Sequence, residues 1–278
     1  MSSEKPAGFE DLIKRGDAAG ALALLQAEIR RQPGKAALRT ALFQLLCVLG
    51  QWPKALAQLE MAGQLDAATL AMVQTYREAI ACELQRVEVF AGQKVPLLFG
   101  EPEPWAAMLV EALLRDGRGE ADVARRLRDK AFEQAPASPG SLGERPFEWI
   151  ADADMRLGPM LEAIINGKYY WVPFCTLSAL QIEPPTDLRD LVWAPANLLF
   201  QNGGETVALI PNRYVGTAES GDAALLMARQ TVWDEAAPGV FTGLGQRLFS
   251  LPDGEVSLLE VRRIDWPAPA GDAHAEPA

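Results

Sequence analysis

Shifting the first third of the chain by 34 residues brings Leu12 onto Leu46, Gly16 onto Gly50, Ala21 onto Ala55, Leu22 onto Leu56 and Leu25 onto Leu59. A repeat of this length constrains the fold sharply. Each unit is too small to bury its own apolar face, so neighbours must stack to form a core. Gly16 and Gly50 fall where a first helix has to end and the chain reverses, which suits a residue at ease with positive φ. Ala21 and Ala55 fall where two helices cross closely. Pro33 follows the second helix and stops it.

The 34-residue period with small residues at fixed places is the tetratricopeptide spacing, two antiparallel helices per unit. Helical periodicity agrees: Leu38, Leu42, Leu45 and Leu49 recur at three- and four-residue steps, as do Leu22, Leu25 and Ile29. A stripe through Leu70, Val73, Tyr76, Ile80, Leu84 and Val87 predicts a long helix over 67–91. Two further helices are expected over 104–115 and 120–134. Residues 1–135 are thus expected to form an all-α, tetratricopeptide-like solenoid.

The texture changes at 135–146, APASPGSLGERP, which reads as a linker. Beyond it, short apolar runs alternate with Pro, Gly and Asn turns. Strands are expected over 169–173, 191–194, 206–210, 230–233, 246–249 and 256–264, with helices over 159–165 and 222–229. The fold class is therefore α+β in two domains, with residues 146–266 forming a mixed α+β domain around a mostly antiparallel sheet. The segment 267–278 has almost nothing to bury and is expected to be disordered.

Charge narrows the function. The formal net charge is −11 and the pI about 4.7, which disfavours nucleic acid and anionic membrane surfaces as partners. The opening MSSEKPAGFEDL lacks the basic and apolar regions of a secretory signal, and no apolar run is long enough to span a bilayer. The expectation is a cytoplasmic chain in which Cys47, Cys82 and Cys175 are free thiols.

Catalytic chemistry finds little to work with. The sole histidine is His274, in the terminal segment, so a Ser-His-Asp, Cys-His or histidine-zinc site is not expected in the folded body. No CxxC pair offers a thiolate metal site. Asp152 and Asp154 could share a metal ion or divide acid and base roles, but they read more simply as surface carboxylates or partners of Arg156. The glycines at 203–204 and 243–245 lack the setting of a phosphate or dinucleotide loop. No cofactor and no metal are expected, and the chain is read as a non-enzyme. The aromatic run Tyr169-Tyr170-Trp171 is read as core with some exposed surface.

Several long stretches of the second half resemble the ImpE/TagJ family: DADMRLGPMLEAIINGKYYWVPF (152–174), DLRDLVWAPA (187–196), NGGETVALIPNRYVGT (202–217) and GLGQRLF (243–249). The closing RRIDW (262–266) fits less specifically. The resemblance implies an accessory protein of bacterial type VI secretion. It further implies binding to a helical segment of TssB, the small contractile-sheath subunit, and through it a link to the disassembly ATPase ClpV. A helical solenoid suits that task, because its groove can accept an amphipathic helix through spaced apolar anchors. The repeat register turns Ile13, Lys14, Thr40, Gln44 and Val48 toward the concave side as candidate partner-binding residues. Asn212, Arg213 and Tyr214, in the stretches that carry the resemblance, are the competing candidate surface. The alternative is a generic tetratricopeptide co-chaperone that holds extended peptides.

Overall fold

In the computed structural model, which describes residues 8–267, Gly16 and Gly50 reverse the chain at φ values of +82° and +66°. They join helices α1 (Phe9–Lys14) to α2 (Ala18–Arg31) and α3 (Ala36–Val48) to α4 (Trp52–Leu65). The side chain of Asp17 caps α2 by accepting from Gly20 N–H at 2.8 Å. Helix α5 (Leu70–Phe90) is the expected long helix, and α6 (Pro104–Asp116) and α7 (Ala121–Gln134) form another hairpin about Gly119. Ala21 and Ala55 are fully buried, as a close helix crossing requires.

The strands are β1 (Leu97–Leu98), β2 (Gly140–Leu142), β3 (Arg145–Phe147), β4 (Ala151–Asp152), β5 (Met160–Ile165), β6 (Lys168–Pro173), β7 (Leu177–Ile182), β8 (Trp193–Phe200) and β9 (Glu205–Pro211). A short helix α8 (Ala223–Leu226) precedes β10 (Thr231–Ala237), β11 (Val240–Gly245), β12 (Leu248–Leu251), β13 (Gly254–Ser257) and β14 (Arg263–Asp265). Nine strands make the main sheet in the order β1-β6-β5-β9-β8-β7-β14-β2-β3. Every pairing in it is antiparallel except β1 with β6. Strands β13-β12-β4 form a second sheet and β10-β11 a separate hairpin. The fold is α+β, helical at the N-terminal side and mostly antiparallel sheet beyond it.

Three expectations are corrected. Residues 160–165 form strand β5 rather than a helix: all six are buried, Glu162 among them, so the strand shows no alternation of buried and exposed positions. The stretch 256–264 is two strands, β13 and β14, which belong to different sheets. The 135–146 segment is no simple linker: it holds β2 and the start of β3, which close one edge of the main sheet, where Pro146 is tolerated. The expected disorder of 267–278, with His274, falls outside the described residues apart from Pro267.

One apolar core crosses between the two halves. Leu25, Leu45, Leu59 and Leu109 from the helices pack in the same cluster as Ile164, Trp171 and Trp193 from the sheet. A second core, with Leu180, Leu198, Phe174 and Phe249, fills the space behind the main sheet. The strand β1, contributed from the helical half, pairs into the sheet beside β6.

Candidate functional site

Helices α1 and α3 leave an open groove of about 900 Å³ on one side of the molecule. Phe9 and Ile13 of α1 and Ala37, Leu38 and Ala41 of α3 give it an apolar floor. Its far wall comes from the other half of the chain, the 185–191 strap with Pro185, Leu188 and Leu191. Charges of both signs stand along it: Lys14 and Lys35, and Glu10, Asp66 and Asp187.

The strap is held by hydrogen bonds and a stacked guanidinium. The Asp190 carboxylate accepts from Thr186 N–H at 2.8 Å and Asp187 N–H at 2.9 Å, closing a tight turn before the 3₁₀ segment Leu188–Leu191. The Arg189 guanidinium lies 4.7 Å over the Tyr76 ring of α5. Across the groove, Gln44 Oε1 accepts from Leu188 N–H at 3.2 Å.

Elsewhere, a cluster of buried charges joins α5 to the sheet. Arg86 donates from Nε and Nη2 to Glu162 at 2.7 and 3.0 Å, from Nη1 to both oxygens of Glu83, and from Nη2 to the Arg213 carbonyl. Arg247 donates to Asp152, Glu162 and the Pro211 carbonyl. Trp193 Nε1–H donates to Glu83, and Tyr169 O–H to Glu162. Burial alone would push Glu162 up, but Arg86 and Arg247 pull it down to about 2. Burial does prevail at Asp152, raised to about 7, where Arg247 is the sole cation against it and Asp154 adds repulsion. Of Asp152 and Glu162, Asp152 is therefore the one that takes up a proton first.

Residues 144–265 match the ImpE protein family. The type VI secretion system accessory component TagJ of Pseudomonas aeruginosa is 50% identical over 258 residues, spanning 92% of this chain and 90% of that protein. The chain belongs to the ImpE/TagJ family. The crystal structure of a Vibrio parahaemolyticus protein, 24% identical, superposes with a TM-score of 0.85 over 94% of this chain and 98% of the other, a likeness of fold.

Of the candidate residues in this ImpE/TagJ chain, the structure brings four together. Ile13, Lys14, Thr40 and Gln44 all line the groove. Val48 does not: it is fully buried, and its carbonyl accepts from Arg213 Nη1 at 2.6 Å. The reason is helical drift, since eight residues beyond Thr40 the side chain has turned by about 80°. Asn212, Arg213 and Tyr214 are not a surface either, being 0%, 5% and 3% exposed. Arg213 spends its guanidinium on the carbonyls of Val48, Leu226 and Cys47, and burial pulls it down to about 10. Tyr214 exchanges hydrogen bonds with the Leu248 backbone through its hydroxyl.

The carboxylates considered for chemistry are occupied. Asp152 is 3% exposed and Asp154 fully buried, so neither is a surface group. Asp152 meets Arg247, while Asp154 accepts from the Arg156 backbone and guanidinium and from Gly243 N–H. Tyr169 and Trp171 are buried, and Tyr170 packs against Phe99 at 5.8 Å. The sequence reading missed the strap and the cluster of Arg86, Glu162 and Arg247. Leu188 and Leu191 lay within the family-like stretch 187–196, which was the available signal for the strap.

Proposed function

We propose that the chain is a non-catalytic accessory component of type VI secretion, acting in the cytoplasm, and that its groove binds a helical segment of the small sheath subunit TssB. Through that contact it would connect the sheath to ClpV. The 50% identity to TagJ of Pseudomonas aeruginosa supports the accessory role. The observation that carries the binding reading is the groove itself, open, apolar-floored and lined by four residues that the repeat register picks out. We read its helical wall as a short tetratricopeptide-like array, with the hairpins turned at Gly16 and Gly50 as successive units.

The groove is large enough for a helix as occupant. A helix with side chains is about 10 Å across and rises about 5.4 Å per turn, so 900 Å³ accommodates roughly two turns. Two turns present the three- and four-residue anchor spacing that helix-in-groove recognition uses. A carboxylate clamp of the co-chaperone kind has less support, because Lys14 and Lys35 are offset by Glu10, Asp66 and Asp187.

The test is a calorimetric titration with a peptide covering the helical segment of TssB from the same system. A variant carrying a central proline serves as control. Saturable binding that the proline abolishes is expected. Equal binding of both peptides would transfer support to the extended-peptide reading, and binding of neither would remove TssB as the partner.

A further inference from the structure

The groove floor is apolar except along one line of α3, where Thr40 and Gln44 stand four residues apart and so on the same face. Gln44 is only 8% exposed, yet it lines the groove. Its carboxamide has one fixed orientation. Leu188 N–H can only donate, so the atom facing it 3.2 Å away must be the oxygen. The other end of the amide, Nε2, is therefore a donor, and it meets no acceptor among the described residues. A donor in a mostly apolar groove is costly to cover without a partner, because a ligand that dries it must supply an acceptor.

We infer that Gln44 is a specificity-determining residue of the groove, bracing the strap with its oxygen and selecting with its nitrogen a partner helix that carries a hydrogen-bond acceptor between apolar anchors. The inference rests on the groove reading above and deepens it. It names the chemistry of the occupant: apolar side chains that meet Ile13, Leu38 and Leu188, and one Asn, Gln, Asp, Glu, Ser or Thr set opposite Gln44. It also makes the site a property of both halves of the chain, since the brace ends on the strap. An all-apolar helix would leave the Nε2 donor buried and unpaired, and is rejected for that reason.

The substitution Gln44→Glu separates the two roles. It keeps an oxygen to accept from Leu188 N–H and replaces the unpaired amide donor with an acceptor at nearly constant shape. The experiment combines calorimetric titration of the TssB helical peptide with hydrogen exchange at the Leu188 amide. Expected are a Kd at least tenfold weaker in Q44E and unchanged protection at Leu188. A lysine walked through the polar positions of the peptide should restore affinity for Q44E at one position. Wild-type affinity in Q44E overturns the selecting role while leaving the groove reading intact. Weaker binding together with lost Leu188 protection also overturns it, by showing that Gln44 acts only as a brace. Failure of the wild-type protein to bind the peptide removes TssB as the partner and overturns this inference with it.

Discussion

Arg86 on α5 and Glu162 on β5 meet as a two-pronged pair, Nε to Oε1 at 2.7 Å and Nη2 to Oε2 at 3.0 Å, in a place solvent does not reach. Seventy-six positions separate them in the chain. The contact couples the helical half to the sheet, and its donors and acceptors are all used. Removing one member strands a buried charge, which costs more than the pair contributes. Arg86→Ala should lower unfolding stability by about 3–5 kcal/mol in chemical denaturation. A loss below about 1 kcal/mol would mean that the helices and the sheet are not coupled through this pair.

Acid should act through the same carboxylate. Glu162 has its folded pKa pulled to about 2 from an ordinary 4.5. A depressed carboxylate adds stability that is present above the unfolded pKa and lost as pH falls through the folded one. Stability should therefore fall by about 3 kcal/mol between pH ~4.5 and ~2 on account of this group. In Glu162→Gln the starting stability is lower and that part of the slope disappears. Denaturant unfolding at a series of pH values reads both effects.

Gly50 is placed where neither backbone nor space admits a side chain. Its φ is +66°, and a Cβ would sit 2.4 Å from the Ala218 Cβ. Gly50→Ala should cost about 2 kcal/mol or more, roughly 1 from the left-handed backbone and the rest from the clash. Ala218→Gly in the same chain should recover the second part and not the first. Equal stability of the single and double variants would contradict the close approach.

Arg213 should behave as structure. Its three carbonyl contacts tie α3 and α8 to the end of β9, and among the described residues no carboxylate bonds to it directly. Arg213→Gln should lower stability by about 2–4 kcal/mol, since buried carbonyls lose charge-assisted donors. The folded fraction should bind the TssB peptide with wild-type Kd. A changed Kd without a change in stability would return this stretch to the partner-binding surface.

Much of the fold was legible because helices declare themselves locally. The stripe from Leu70 to Val87 predicted α5 nearly to its ends, and the glycines at 16 and 50 marked two turns. Strand β5 was misread because a strand buried on both faces loses its alternation, and Met, Leu, Glu and Ala are good helix formers. The edge hairpin β2–β3 was hidden by its prolines and glycines. That Ile13, Lys14, Thr40 and Gln44 line one groove followed from the repeat register, which misplaced Val48, the register partner of Lys14. Arg213 could not, because two of its acceptors, the carbonyls of Cys47 and Val48, lie more than 160 positions away and leave no trace in local spacing.

The groove as the partner site is tested most directly by placing bulk in it where the fold is not at stake. Thr40 is half-buried, lines the groove and makes no side-chain hydrogen bond among the described residues. Thr40→Arg should leave the unfolding midpoint unchanged and abolish calorimetric binding of the TssB helical peptide. Binding of T40R with the wild-type Kd would place the partner elsewhere on the molecule and contradict the account.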